Sequence, residues 1–200
     1  PYTTLFRSLR ATHKSQPLRS PDCAVAFERN PVNRNDKKNA AAYWNKWRPC
    51  RDGVEAMFEH RCGYAACYIT TGQVEHFISW KKCKESDRHE LAYEWSNYRW
   101  ILAQLNGRKG KKGAGDVLDP FEVCDAWFEL HPLTLKLRLV ESEIPSDKLD
   151  VARATQKMIE KDDLVANIRR EAVTMFEEGT PLAALEHRYP QVHRALQRLF

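Results

Sequence analysis

Apolar positions first recur at helical spacing in 39–60, where Ala42, Trp44 and Trp47 are followed by Val54, Met57 and Phe58. Pro49 and Gly53 interrupt that run, so it predicts two short helices. The rhythm changes at Tyr64. Tyr68, Ile69 and Thr70 form a short β-like run, Thr71-Gly72 is a turn signal, and Val74, Phe77, Ile78 and Trp80 mark a second run. The pattern predicts a β-hairpin with Glu75 and His76 at the start of its second strand. The stretch "KKCKESDRHE" then reads as a charged loop. Leu91, Trp95, Tyr98, Ile101, Leu102 and Leu105 return to near-helical spacing, which predicts a turn around Ser96-Asn97 and a helix ending near Gly107.

Further along, Trp127–Leu130 and Leu133–Val140 read as strands, the second alternating Leu135, Leu137 and Leu139. From Ser146 the spacing is helical. Ser146 and Asp147 are candidate N-caps, and Asp162 or Asp163 opens a helix carrying Leu164, Ile168, Met175 and Phe176. Gly179 stands where a C-terminal cap belongs, and Thr180 opens a further helix that Pro190 ends. A last amphipathic stretch covers 191–200, and its Arg194 and Arg198 suit an acidic partner surface. The chain thus divides into an extended basic arm at 1–38, a mixed core at 39–145 and a helical region at 146–200. The class is α+β.

Composition narrows the setting. Hydrophobic residues make up 42% and charged residues 30%, which fits a soluble globular protein. No apolar run approaches the roughly 20 residues of a membrane span. The six cysteines are expected as reduced thiols in a bacterial cytoplasm. Cys62 and Cys67, in "CGYAAC", have no second close pair to complete a structural zinc site. The net charge is +5, and it is uneven. The arm carries Arg7, Arg10, Lys14 and Arg19, and "NGRKGKKG" concentrates Arg108, Lys109, Lys111 and Lys112 without an acid. Such runs suit phosphate backbones, although most are simply solvated.

The chemistry-bearing pattern is Glu75-His76 early in a strand, Asn97 ahead of a helix and Asn106 on it. With "RCGYAACY", "VEHFIS", "LAYEWSNYRW", "LNGRKG" and "VLDPFEV…WFEL", it resembles the HNH endonucleases, in particular the HNH subunits of Septu-type and retron-associated antiphage systems. The likeness covers roughly 61–130. It implies a small ββα-metal core with flanking helices, a divalent Mg²⁺ or Mn²⁺ cofactor, DNA as substrate and an ATPase partner subunit in a defence complex, with no membrane involvement. It implies His76 as general base, Asn97 as its support, Asn106 and Glu75 as metal ligands, and Arg108, Lys109, Lys111 and Lys112 along the nucleic-acid backbone.

The chemistry suits those residue types. Phosphodiester hydrolysis needs a deprotonated water, charge neutralisation and a stabilised leaving oxygen. An imidazole serves as base near neutral pH, and carboxylate and amide oxygens suit hard cations. Neighbouring strand residues point to opposite faces, so the resemblance also implies a bulge or twist at Glu75-His76. Two departures stand out. Glu75 replaces the usual Asp, and Leu102 and Leu105 occupy positions where many HNH proteins have the Cys-x-x-Cys of a zinc knuckle, so no structural zinc is expected. The alternative is a weak or inactive HNH-fold subunit that binds nucleic acid or serves as a scaffold docking the ATPase.

Overall fold

A computed structural model describes residues 50–88, 91–92 and 94–199. The basic arm at 1–38 and the first of the two expected helices before Pro49 lie outside the described residues. The second of those helices is α1 (Arg51–Met57). Gly53 lies inside α1 because a β-carbon there would come within 2.7 Å of the Trp95 indole.

The strand that carries Glu75 and His76 is β1 (Gln73–His76), and it does not pair with the Tyr68 run. Tyr68 makes an isolated antiparallel bridge to Arg61, and its amide donates to the Arg188 carbonyl. The partner of β1 is β2 (Tyr98–Ile101), antiparallel, with Gln73 opposite Ile101 and His76 opposite Tyr98. The expected hairpin is therefore corrected: the turn at Thr71-Gly72 leads into β1 without folding it back on 68–70. Gly72 is needed there for another reason, since any side chain would collide with the Trp100 ring. Ser79 ends the extended stretch by accepting a hydrogen bond from the Lys82 amide, which caps α2 (Trp80–Glu85) in the stretch expected as a loop.

Residues 98–101 were also expected at helical spacing, and they form β2 instead. Pairing with β1 and complete burial of Tyr98, Trp100 and Ile101 outweigh local propensity. α3 (Ala103–Lys109) follows at once. Leu102 and Leu105 are buried and hold it to the core. The local order is strand, strand, helix, reached through a different second strand from the one the spacing predicted.

A second sheet pairs β3 (Phe128–Leu130) with β4 (Leu137–Leu139). The helical region contains α4 (Leu149–Ile159), α5 (Leu164–Glu177), α6 (Leu182–Arg188) and α7 (Pro190–Gln197). Gly179 closes α5 at φ +100°, as a C-terminal glycine does. Pro190 not only follows α6 but opens α7 as its first residue. α7 packs on β3 and α6 and buries Val192, Ala195 and Leu196. Its Arg194 and Arg198 reach Asp125 and Glu129 of this same chain. The last helix is therefore part of the body rather than a projecting docking element. One apolar cluster runs from Cys50 to Leu196. Among the described helices none is long and apolar enough to cross a membrane. Among the described residues, Cys62, Cys67, Cys83 and Cys124 are free thiols.

Candidate functional site

The β1–β2 register is continuous from Gln73 to His76. The bulge implied at Glu75-His76 is not present, and the strand alternation applies. Gln73, Glu75 and, just beyond the strand, Phe77 face one side; Val74 and His76 face the other. α3 lies against the first side, and the contacts are specific. Asn106 Nδ2 donates to Gln73 Oε1 at 2.8 Å. One turn further along α3, Lys109 forms an ion pair with Glu75.

That ion pair is deeply placed. Glu75 is 4% exposed and Lys109 1%. The Lys109 ammonium also donates to the carbonyls of His76 (3.2 Å), Phe77 (3.1 Å) and Lys112 (2.6 Å). An ammonium has three hydrogens, which the Glu75 carboxylate and the three carbonyls share. Burial pushes the Glu75 carboxyl up and the Lys109 ammonium down, and each partner opposes the other's shift. Beside them Arg99, opposite Glu75 on β2, lies between the Phe77 and Phe121 rings and donates from Nε to Asp119 Oδ1 at 2.7 Å. Asp119-Pro120 is thus a structural turn: Asp119 holds Arg99 and accepts the Phe121 amide. Two carboxylates and two cations balance inside the fold, which is what makes burying them tolerable.

The other side of β1 holds the histidine. His76 is half-buried, and its ring meets the Tyr98 ring edge-on with centroids 5.2 Å apart. Nε2 lies 2.9 Å from the Ala92 carbonyl oxygen. A carbonyl only accepts, so Nε2 carries the proton and Nδ1 keeps its lone pair. Burial pushes the imidazole pKa down to about 4, more than the Ala92 carbonyl raises it, and the Lys109 charge lowers it further. His76 is therefore a neutral base at physiological pH.

Asn97 supports this arrangement through the backbone. It is 4% exposed. Its Oδ1 accepts the Ile78 amide at 2.6 Å, and its Nδ2 donates to the carbonyls of Ile78 (3.0 Å) and Leu91 (2.9 Å). One carboxamide thus ties the chain leaving β1 to the chain entering β2. Tyr98, which the sequence reading did not single out as functional, donates its hydroxyl to the same Ala92 carbonyl at 3.0 Å. Only the β1–β2 register reveals that Tyr98 faces His76.

The four basic residues of 108–112 separate into two kinds. Arg108 pairs with Asp162 and reaches the carbonyls of Met158 and Ile159, so it caps the C-terminal end of α4. Lys109 is interior. Lys111 and Lys112 are exposed. Beside that loop, Lys82 of α2 pairs with Asp116, and the backbone of Gly113 approaches the Phe77 carbonyl.

For a metal ion, Glu75 and Asn106 offer hard oxygen donors from the two elements that pack together. Glu75 Oε2 is buried without a hydrogen-bond partner. Carboxylate and amide oxygens are donor types that suit Mg²⁺ or Mn²⁺, but the Lys109 ammonium already sits against the Glu75 carboxylate. Among the described residues no three His, Cys, Asp or Glu side chains gather into a cluster, and His76 is on the opposite side of β1 from Glu75. Cys62 and Cys67 are fully buried thiols whose pKa values burial raises. No family model, curated protein or solved structure matches the chain.

Proposed function

We propose that the chain is a metal-dependent HNH-type endonuclease that hydrolyses phosphodiester bonds in DNA, working as the effector of an antiphage complex with an ATPase partner. The observation that carries the reading is His76: a half-buried, neutral imidazole with its proton fixed on Nε2 by the Ala92 carbonyl and Nδ1 left to accept a proton. An unprotonated Nδ1 is the atom at which a general base accepts a proton from water. Asn97 positions the backbone on either side of it. Glu75 and Asn106 are the residues to hold a divalent ion, which when bound neutralises phosphate charge and stabilises the leaving oxygen. Glu75 and His76 face opposite sides of β1, so this reading requires β1 to distort before both can reach one phosphate. Lys111 and Lys112 are the exposed cations of 108–112 for the DNA backbone.

A second reading has its own support. The Glu75 carboxylate is already neutralised by Lys109 inside the protein, as expected of an HNH-fold subunit that binds nucleic acid or scaffolds an ATPase without cutting. Incubation of supercoiled plasmid with the full chain, alone and with its ATPase partner, in Mg²⁺, Mn²⁺ or EDTA separates the two. Nicking that requires metal supports the nuclease. Retained DNA binding with no nicking under any of these conditions supports the scaffold.

A further inference from the structure

The hydroxyl of Tyr98 and Nε2 of His76 converge on one oxygen, the carbonyl of Ala92, at 3.0 and 2.9 Å. A carbonyl oxygen has two lone pairs, and these two donors use both. Tyr98 is fully buried, and its ring meets His76 edge-on at 84°. The neighbouring carbonyl, Leu91, is held by Asn97. Two successive carbonyls, Leu91 and Ala92, are therefore held by two successive residues, Asn97 and Tyr98, and the histidine takes its proton position from the second carbonyl. The geometry points to Tyr98 as a positioning residue for His76: by anchoring the Ala92 carbonyl it holds the imidazole in the Nε2–H tautomer with Nδ1 unprotonated. This rests on the reading of His76 as the base, and it adds a residue that acts only through it.

The consequence is specific. Without the phenol oxygen, the Ala92 carbonyl loses one of its two donors and holds the imidazole proton less firmly. The imidazole then populates both neutral tautomers, and the fraction with its proton on Nδ1 cannot accept one from water there. The ring of Tyr98 is retained in Tyr98→Phe, so packing against His76 and Trp95 is preserved.

The test is ¹⁵N NMR of the His76 ring at neutral pH in the full chain, wild type and Tyr98→Phe, with plasmid nicking and a thermal melt alongside. The wild type is expected to show a single Nε2–H tautomer. Tyr98→Phe is expected to show a mixture, with kcat reduced in proportion to the Nε2–H fraction that remains and KM unchanged. A pure Nε2–H tautomer in Tyr98→Phe overturns the proposal, whatever happens to its melting temperature, because the tyrosine is then only packing. Should the variant not fold, the wild-type spectrum still decides, since a proton on Nδ1 contradicts the shared carbonyl outright. If the wild type does not nick DNA at all, the nuclease reading fails, while the tautomer comparison still judges the role of Tyr98.

Discussion

Around β1 the protein buries Glu75, Arg99 and Lys109 with Asp119 nearly enclosed beside them, while α4 to α7 bury Ala152, Met158, Ile159, Val165, Leu185, Val192 and Leu196, with Arg169 as their buried cation. The helical half is mainly apolar apart from Arg169, which pairs with Glu160, and each large aliphatic side chain there contributes about 1.5–3 kcal/mol when fully buried. The strand half places ions where apolar side chains of similar size are often at least as stabilising. Charges kept inside a small sheet, next to a neutral histidine, are expected where chemistry or binding uses them.

The comparison predicts different responses to substitution. Lys109→Met leaves the Glu75 carboxylate buried without its cation and is expected to cost about 3–5 kcal/mol in urea unfolding. Adding Glu75→Gln should restore most of that loss, because removing both charges is often close to neutral. A double variant as unstable as Lys109→Met would mean that packing, not charge, dominates there. In the helical half, Leu196→Ala should cost about 2–5 kcal/mol, as cavity formation does. No second substitution of a charged neighbour should rescue it. If Leu196→Ala left the melting temperature unchanged, α7 would not be core, and a docking role for the last helix would return.

The next effect is smaller and depends on pH. The unfolded His76 takes up a proton near 6.5, the folded one only near about 4. Between those values the unfolded state binds more protons, so stability falls as pH drops through that window and the loss levels off below it. His76→Ala should flatten this part of the profile, measured as urea midpoints from neutral to acid pH. Identical slopes for both proteins would show that His76 titrates normally in the fold. Smallest in stability is the pair Lys111→Gln and Lys112→Gln, expected within about 0.5 kcal/mol of wild type. Their effect belongs to DNA binding, where the salt dependence should flatten by up to about two units of slope. An unchanged slope would leave the loop merely solvated.

How far the sequence shows this contrast varies by residue. The apolar spacing of Leu164, Ile168 and Phe176 and the position of Gly179 marked α5 correctly, because helices are specified by local periodicity. The partner of β1 was hidden, since "YRWI" reads as helical until a strand pairs with it across a long connection. Lys109 was hidden by its neighbours. It sits in a basic run that resembles a solvated loop, yet Leu102, Leu105 and Lys109 are spaced at i, i+3 and i+7, which places the lysine on the buried face of α3. That spacing was the available signal. Glu75 and His76 were visible as a pair, but the strand alternation separates them, and only the register shows that His76 faces Tyr98 and Glu75 faces Arg99.

The central claim is that His76, neutral and with Nδ1 unprotonated, removes the proton from the attacking water. The most direct measurement compares plasmid nicking rates of wild type and His76→Ala under the metal and partner conditions that support cleavage, with the fold of each checked by circular dichroism. The account predicts a loss of about 10² to 10⁴ in rate with native secondary structure retained. A correctly folded His76→Ala protein that nicks at the wild-type rate would contradict it.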